Sequence, residues 1–233
     1  MLLDKLREYP QDKTLLISTF IIFIPFMIIT VFVFIINEIG LRTAYGFGVL
    51  EFELAWTPET IDTIFAAWGQ PEMERQAIVT YIDYIYLVTY SLFGAGSVLI
   101  ITRKLDGKLQ ELGLYLTLAT SVAAIFDAIE NANLLIMIAN PADFSPINPF
   151  IASLCSVFKI SFIEAGICFL YIGVIVVFIG KEKTSYLYGT LIGSGIVFTC
   201  FLFIWNYLVG IIGGAIYFII LYFVYRIINS ERD

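Results

Sequence analysis

The feature that most constrains this chain is a series of apolar runs, several of which reach the roughly 20 residues needed to cross the hydrocarbon core of a bilayer. These runs do not alternate over about ten residues, as the strands of a membrane barrel do. In lipid, only a helix satisfies all backbone hydrogen bonds within such a run. Because 60% of the 233 residues are hydrophobic, the sequence predicts an all-α, polytopic integral membrane bundle.

We predict one membrane domain over residues 1–233, built from six transmembrane helices and a short amphipathic interfacial helix. The predicted spans are residues 14–37, 78–101, 109–139, 149–180, 185–206 and 210–228. An outer loop, residues 38–77, joins the first two spans and contains the amphipathic helix.

The amphipathic helix is predicted from its start signal and its periodicity. Thr57, Pro58 and Glu59 are typical of an N-cap, a first helical position and an acidic first turn. Apolar residues recur after them at helical spacing, which favours a helix on the membrane surface or capping the bundle. Before this helix, the alternation at residues 51–54 weakly indicates a strand or an interfacial segment.

The distribution of positive charge predicts the topology. Ten Lys and Arg residues fall in residues 1–13, 102–110, 180–185 and the C-terminal tail, whereas the outer segments hold only Arg42 and Arg75. Such a bias follows the positive-inside rule and predicts that both termini are cytoplasmic.

Composition excludes several classes of function. There is no histidine and the formal net charge is −7, which argues against His-based triads, typical zinc sites and nucleic-acid binding. No nucleophile elbow, zinc-protease motif, P-loop or dinucleotide fingerprint is present. The sequence therefore names no catalytic residue.

Polar residues inside the predicted spans are the strongest functional signal. Asp127, Glu130 and Asn131 share one face of the third span. Span two carries Asp83 on a polar stripe, and span four carries a lysine and a glutamate. Because ionised groups at mid-bilayer cost about 3 kcal/mol each on insertion scales, we expect these residues to converge in the outer half. The predicted ligand or ion-binding residues are Asp83, Asp127, Glu130, Asn131, Lys159 and Glu164, with Trp68, Tyr86 and Tyr90 as pocket walls.

Four acids against one lysine leave an excess of negative charge. We expect a retained proton, a bound cation or an aqueous vestibule to relieve it. Oxygen ligands suit a hard cation, Ca²⁺ or Mg²⁺, which we place at Asp127, Glu130 and Glu164. The expected partners are membrane lipids and a small cation or lipid substrate; the oligomeric state is left open.

Three functions remain open at this stage. The favoured one is a buried acidic site for a cation, proton or polar lipid headgroup, used in transport. The second is a lipid-modifying enzyme with a carboxylate acid/base pair. The third is a structural or assembly subunit without a ligand site. Transport requires a continuous polar path, yet below Asp127 the third span offers only Thr117, Thr120 and Ser121.

Overall fold

The computed structural model describes residues 2–180, 187–193, 195–196 and 207–230, and within these ranges the chain is helical with no strand. Five of the described helices are long and apolar enough to cross a membrane. This is the architecture of an integral membrane protein, and it agrees with the all-α class that the apolar runs predict.

The N-terminal helices run further than the first predicted span. Helix α1, Leu2–Glu8, is followed by α2, Asp12–Ile29. A π-helical segment, Thr30–Ile35, leads directly into α3, Ile36–Tyr45. The helical path therefore passes the predicted end at residue 37 and stops at Gly46, whose φ of 78° is accessible to glycine at little cost.

A five-residue helix, α4, Val49–Glu53, lies where the alternating pattern indicated a strand or an interfacial segment. A strand is wrong here. The Glu51 carboxylate accepts a hydrogen bond from the Gly48 amide at 2.8 Å, which satisfies a free donor at the helix start. Phe52 is buried against Phe65 and Trp68. This local capping and packing outweigh a two-residue alternation.

Helix α5, Pro58–Thr102, contains a break at Gly69, which has φ 69° and ψ 169°. The break coincides with Gly69-Gln70-Pro71 in the sequence. Before the break, the helix over residues 58–68, where the amphipathic helix is predicted, buries its apolar face in the core of the central unit. Its buried members are Ile61, Ile64, Phe65 and Trp68.

Three further long helices follow in the described chain. Helix α6 is Gly107–Ala139, α7 is Ile147–Ile179 and α8 is Tyr207–Ser230. Their bounds lie within three residues of the predicted spans at 109–139, 149–180 and 210–228. Most of the predicted span at 185–206 lies outside the described residues, although residues 187–193 and 195–196 are helical.

The chain divides into two compact units. One, the terminal unit, comprises Met1–Thr19, Leu92–Val122 and Ile160–Asp233. Its main core contains Phe169, Leu191 and Tyr217. The other, the central unit, comprises Phe20–Ser91 and Ala123–Lys159. Its core is built around Leu41, Phe52, Trp68, Leu134 and Met137. The candidate site lies entirely within the central unit.

Candidate functional site: a buried lysine–carboxylate cluster

The ammonium group of Lys159 is surrounded by three carboxylates. Its Nζ lies 3.2 Å from Oε2 of Glu53, 3.2 Å from Oδ1 of Asp127 and 2.9 Å from Oε1 of Glu130. The three acids come from α4 and α6, and the lysine comes from α7. We call these four residues the Lys159 cluster.

The cluster is withdrawn from the surface to different degrees. Glu130 and Asp127 are 0% and 2% exposed, whereas the Glu53 side chain retains 14% of its accessible surface. The rings of Phe126 and Phe158, each next to a cluster residue in sequence, stack 5.1 Å apart. By its larger exposed fraction, Glu53 is the carboxylate of the cluster that lies nearest the surface.

The helical repeat of α6 explains why Asp127 and Glu130 meet the same lysine. Residues three apart lie on one face of a helix, so both carboxylates point towards α7. Glu130 also brings its second oxygen, Oε2, to 2.9 Å from Nζ. That oxygen receives no hydrogen bond of good geometry among the described residues, so its interaction with the ammonium is electrostatic.

Glu53 is held in place by two serines of α7. Ser156 Oγ donates to Glu53 Oε2 at 3.3 Å. Ser153 Oγ donates to the Glu53 carbonyl at 3.0 Å and accepts from the Trp56 amide at 2.9 Å. These bonds connect α7 with the end of α4 and with the residues just after it. They hold the Glu53 side chain beside Lys159.

Asp83 and Asn131 form a second buried pair. Asn131 Nδ2 donates to Asp83 Oδ2 at 2.7 Å, and both residues are less than a tenth exposed. Asp83 does not contact Lys159 directly. A small cavity of about 10 Å³ touches Asp83, Asn131 and Glu53, so it lies between this pair and the Lys159 cluster.

The three aromatic residues predicted as pocket walls have different surroundings. Trp68 is buried in the apolar core of the central unit and donates through Nε1 to the Phe47 carbonyl at 3.3 Å. Tyr86 stacks on Phe26 with ring centroids 5.7 Å apart. The Tyr90 hydroxyl is near the Asp127 carboxylate, although it makes no hydrogen bond of good geometry among the described residues.

Glu164 belongs to the terminal unit, whereas the other predicted site residues belong to the central unit. It is 6% exposed, and its Oε2 has no hydrogen-bond partner in the described part of the chain. The three hydroxyls below Asp127 bond to carbonyls of their own helix, which are those of Gly113, Leu116 and Thr117. Their hydrogens are therefore used within α6, and none of the three is left as a free donor.

Sequence reasoning missed Glu53. Glu53 lies in the predicted outer loop, residues 38–77, two positions after Glu51. No sequence pattern distinguishes Glu53 as the more buried of these two acids. The available signal is the neighbouring Phe52, because a large apolar residue in a polar connection indicates packing against the protein. Even that signal could not identify Lys159, 106 positions away in the chain, as the partner.

The geometry limits what the cluster can bind. An ammonium group has three N–H donors, and Glu53, Asp127 and Glu130 each accept from it. A phosphate headgroup could bind Nζ only by displacing one of these acids. Among the residues that the structure describes, no three acidic or thiol side chains are arranged to hold a metal ion. The calcium or magnesium site stays a prediction.

Comparisons with protein-family models, with curated proteins and with solved structures each found no match for this chain.

Proposed function

We propose that this integral membrane protein takes up and releases a proton at its Lys159 cluster. The observation that carries the proposal is that three carboxylates contact one buried ammonium group at 2.9–3.2 Å. A lysine can neutralise only one of them. The excess negative charge of the cluster has to be relieved by something other than Lys159.

A proton is the ligand that best suits this excess charge. Buried carboxylates that lack enough cationic partners avoid much of the cost by taking up protons. Asp83 adds a fourth acid nearby, within electrostatic reach of Asp127, Lys159 and Glu53. Among the described residues, Lys159 is the cation that forms salt bridges with Glu53, Asp127 and Glu130. A proton also needs no cavity, in contrast to a hydrated cation or a lipid headgroup.

The direction of proton exchange follows from the topology that we propose. With both termini cytoplasmic, the 38–77 connection that carries Glu53 lies on the outer side. Glu53 is the most exposed acid of the cluster, so the proton enters and leaves from that side. The hydroxyls of Thr117, Thr120 and Ser121 are bonded within α6. Proton binding with an outer-side response is therefore favoured over conduction across the membrane.

A structural role is the second candidate, because direct pairing of Lys159 with its acids favours it. Interhelical polar contacts in membranes contribute about 0.6–2 kcal/mol each. In that case the cluster would hold α4, α6 and α7 together and would keep one protonation state. The two functions differ in whether the proton exchanges reversibly.

Infrared difference spectroscopy on proteoliposomes tests the proposal. Between mildly acidic and mildly alkaline buffer, wild type should show a reversible carbonyl band from a buried protonated carboxyl group. Glu130→Gln or Asp127→Asn should remove or shift that band. Glu59→Gln is the control, because Glu59 is exposed on the first turn of α5. A band unchanged in both of these cluster variants and in Glu53→Gln, or no reversible band in wild type, would reject proton exchange at the cluster and leave the structural role.

A further inference from the structure

We propose that the small cavity beside the cluster is a binding site for one water molecule, which connects Glu53 with Asp83. This inference rests on the proposed function for its role, but the water site itself is defined by the cavity. It adds Asp83 to the proton-binding groups and gives Glu53 a specific task, that of the entry carboxylate.

The size and lining of the cavity favour a single water. Its volume is about 10 Å³, close to the lower limit of roughly 10–15 Å³ at which a cavity holds one water. A buried water also needs two to four polar partners. Five polar residues line this cavity, and they come from three helices: Glu53, Gln76, Thr80, Asp83 and Asn131.

Several of these polar groups have capacity left for a water. Asn131 occupies Oδ2 of Asp83, and a carboxylate oxygen pair can accept further hydrogen bonds. Thr80 Oγ1 donates to the Gln76 carbonyl at 2.9 Å, so its lone pairs remain able to accept. A dry cavity would leave these groups facing apolar neighbours such as Val79 and Phe52.

Gln76 lines the cavity with its side-chain amide already bonded. Its Nε2 donates to Glu72 Oε1 at 2.6 Å and to Asn37 Oδ1 at 3.2 Å, while Asn37 Nδ2 donates back to its Oε1 at 3.2 Å. All polar atoms of this amide are therefore engaged, and an amide does not readily pass a proton. Glu53, which is partly exposed and lines the cavity, offers the better route.

The proposed proton step is balanced. The Glu53 carboxyl group gives its proton to the water, and the water releases one of its own protons to the Asp83 carboxylate. One proton has moved, and the water is regenerated. Asp83 is within the electrostatic influence of acidic, basic and phenolic groups on four helices: Glu53 on α4, Asp127 on α6, Lys159 on α7, and Tyr84 and Tyr86 on its own helix.

Water-edited solid-state NMR on the full chain in lipid bilayers tests the site, with water itself as the probe. Magnetisation from water should reach the Asp83 carboxyl carbon about as fast as that of Glu53. It should reach it severalfold faster than the Met137 methyl group, which is fully buried and does not line the cavity. If Asp83 is no faster than Met137, the cavity is dry and the proposal is wrong.

A matched pair of variants locates the water. Val79→Ile adds one methylene at the cavity wall and should slow transfer to Asp83 severalfold. Val88→Ile makes the same change on the exposed side of α5 and should leave it unaltered. Equal effects, or none, would overturn the assignment. If Val79→Ile does not fold, Thr80→Val removes a polar partner without adding volume and carries the same expectation.

The two proposals can fail separately. A wet Asp83 in a protein without a reversible carboxyl band would keep the water site and reject proton binding. A dry Asp83 in a protein whose band responds to Glu130→Gln would keep the proton site and reject the Glu53–water–Asp83 route.

Discussion

The ammonium nitrogen of Lys159 on α7 lies 2.9 Å from Oε1 of Glu130 on α6, and Glu130 is completely buried. A pair of this kind is costly to break, because removing one partner leaves an uncompensated buried charge. Lys159 also has two other acids to hold. The stability of the central unit should therefore depend more on Lys159 than on any single acid.

Lys159→Met should strongly destabilise the protein, since it leaves three carboxylates without their cation. Breaking a buried pair costs about 3–5 kcal/mol, which corresponds to a fall of roughly 10 °C in the melting temperature for a chain of this size. Thermal unfolding in detergent measures it. Lys104→Met, at an exposed position, is the control. If Lys159→Met melts with wild type, the cluster contributes nothing to stability.

A combined change separates charge from packing. Lys159→Met with Glu130→Gln removes one positive and one negative charge, so it should recover part of the stability that Lys159→Met loses. The double variant should then melt above the single one. A double variant that melts below Lys159→Met would mean that Glu130 stabilises the protein through contacts other than Lys159.

Glu53→Gln should lower stability by about 1–3 kcal/mol, because it weakens charged hydrogen bonds to Lys159 and Ser156. Glu51→Gln makes the same chemical change two residues away, where the carboxylate pairs with the half-exposed Arg42, and should cost less than about 1 kcal/mol. Melting in detergent compares the two. Equal losses of stability would show that the buried contacts of Glu53 contribute no more than the surface salt bridge of Glu51.

Asn131→Leu should destabilise the protein by about 1–3 kcal/mol, since Asp83 loses its donor while it stays buried. Replacing both partners, as in Asp83→Leu with Asn131→Leu, should cost less than the sum of the single changes, because no polar group is then left unsatisfied. The melting temperatures of the four proteins form the cycle. Strict additivity would contradict a direct Asp83–Asn131 bond.

Gly113→Ala tests close helix packing in the terminal unit. A Cβ at Gly113 would lie 2.7 Å from Cε1 of the buried Phe169 ring and would also meet the Thr102 side chain. Overpacking of this kind costs about 1–3 kcal/mol, to be measured by thermal unfolding. Gly189→Ala is the control, because nothing lies within 4 Å of its Cβ. A neutral Gly113→Ala would mean that the α5–α6–α7 contact relaxes easily.

Much of the secondary structure could be predicted because it is a local property. Helix α6 begins at Gly107 and α7 ends at Ile179, each within a few residues of the predicted span, since an uninterrupted apolar run must be helical in lipid. The end of the first span could not be predicted as closely, because the helical path continues through polar residues to Tyr45. Hydropathy indicates where a segment leaves the lipid, whereas the helix itself ends further along the chain.

By itself, the sequence determined that the described chain is helical and that acids and a lysine lie within apolar segments. Only the tertiary structure decided which of them meet. Glu53 joins Lys159 across 106 positions, and Glu164 lies in a different unit from Asp127. The physical reason is that burial of a charge demands partners without specifying them. Periodicity places a side chain on a face of its own helix, whereas the packing of several helices determines what that face contacts.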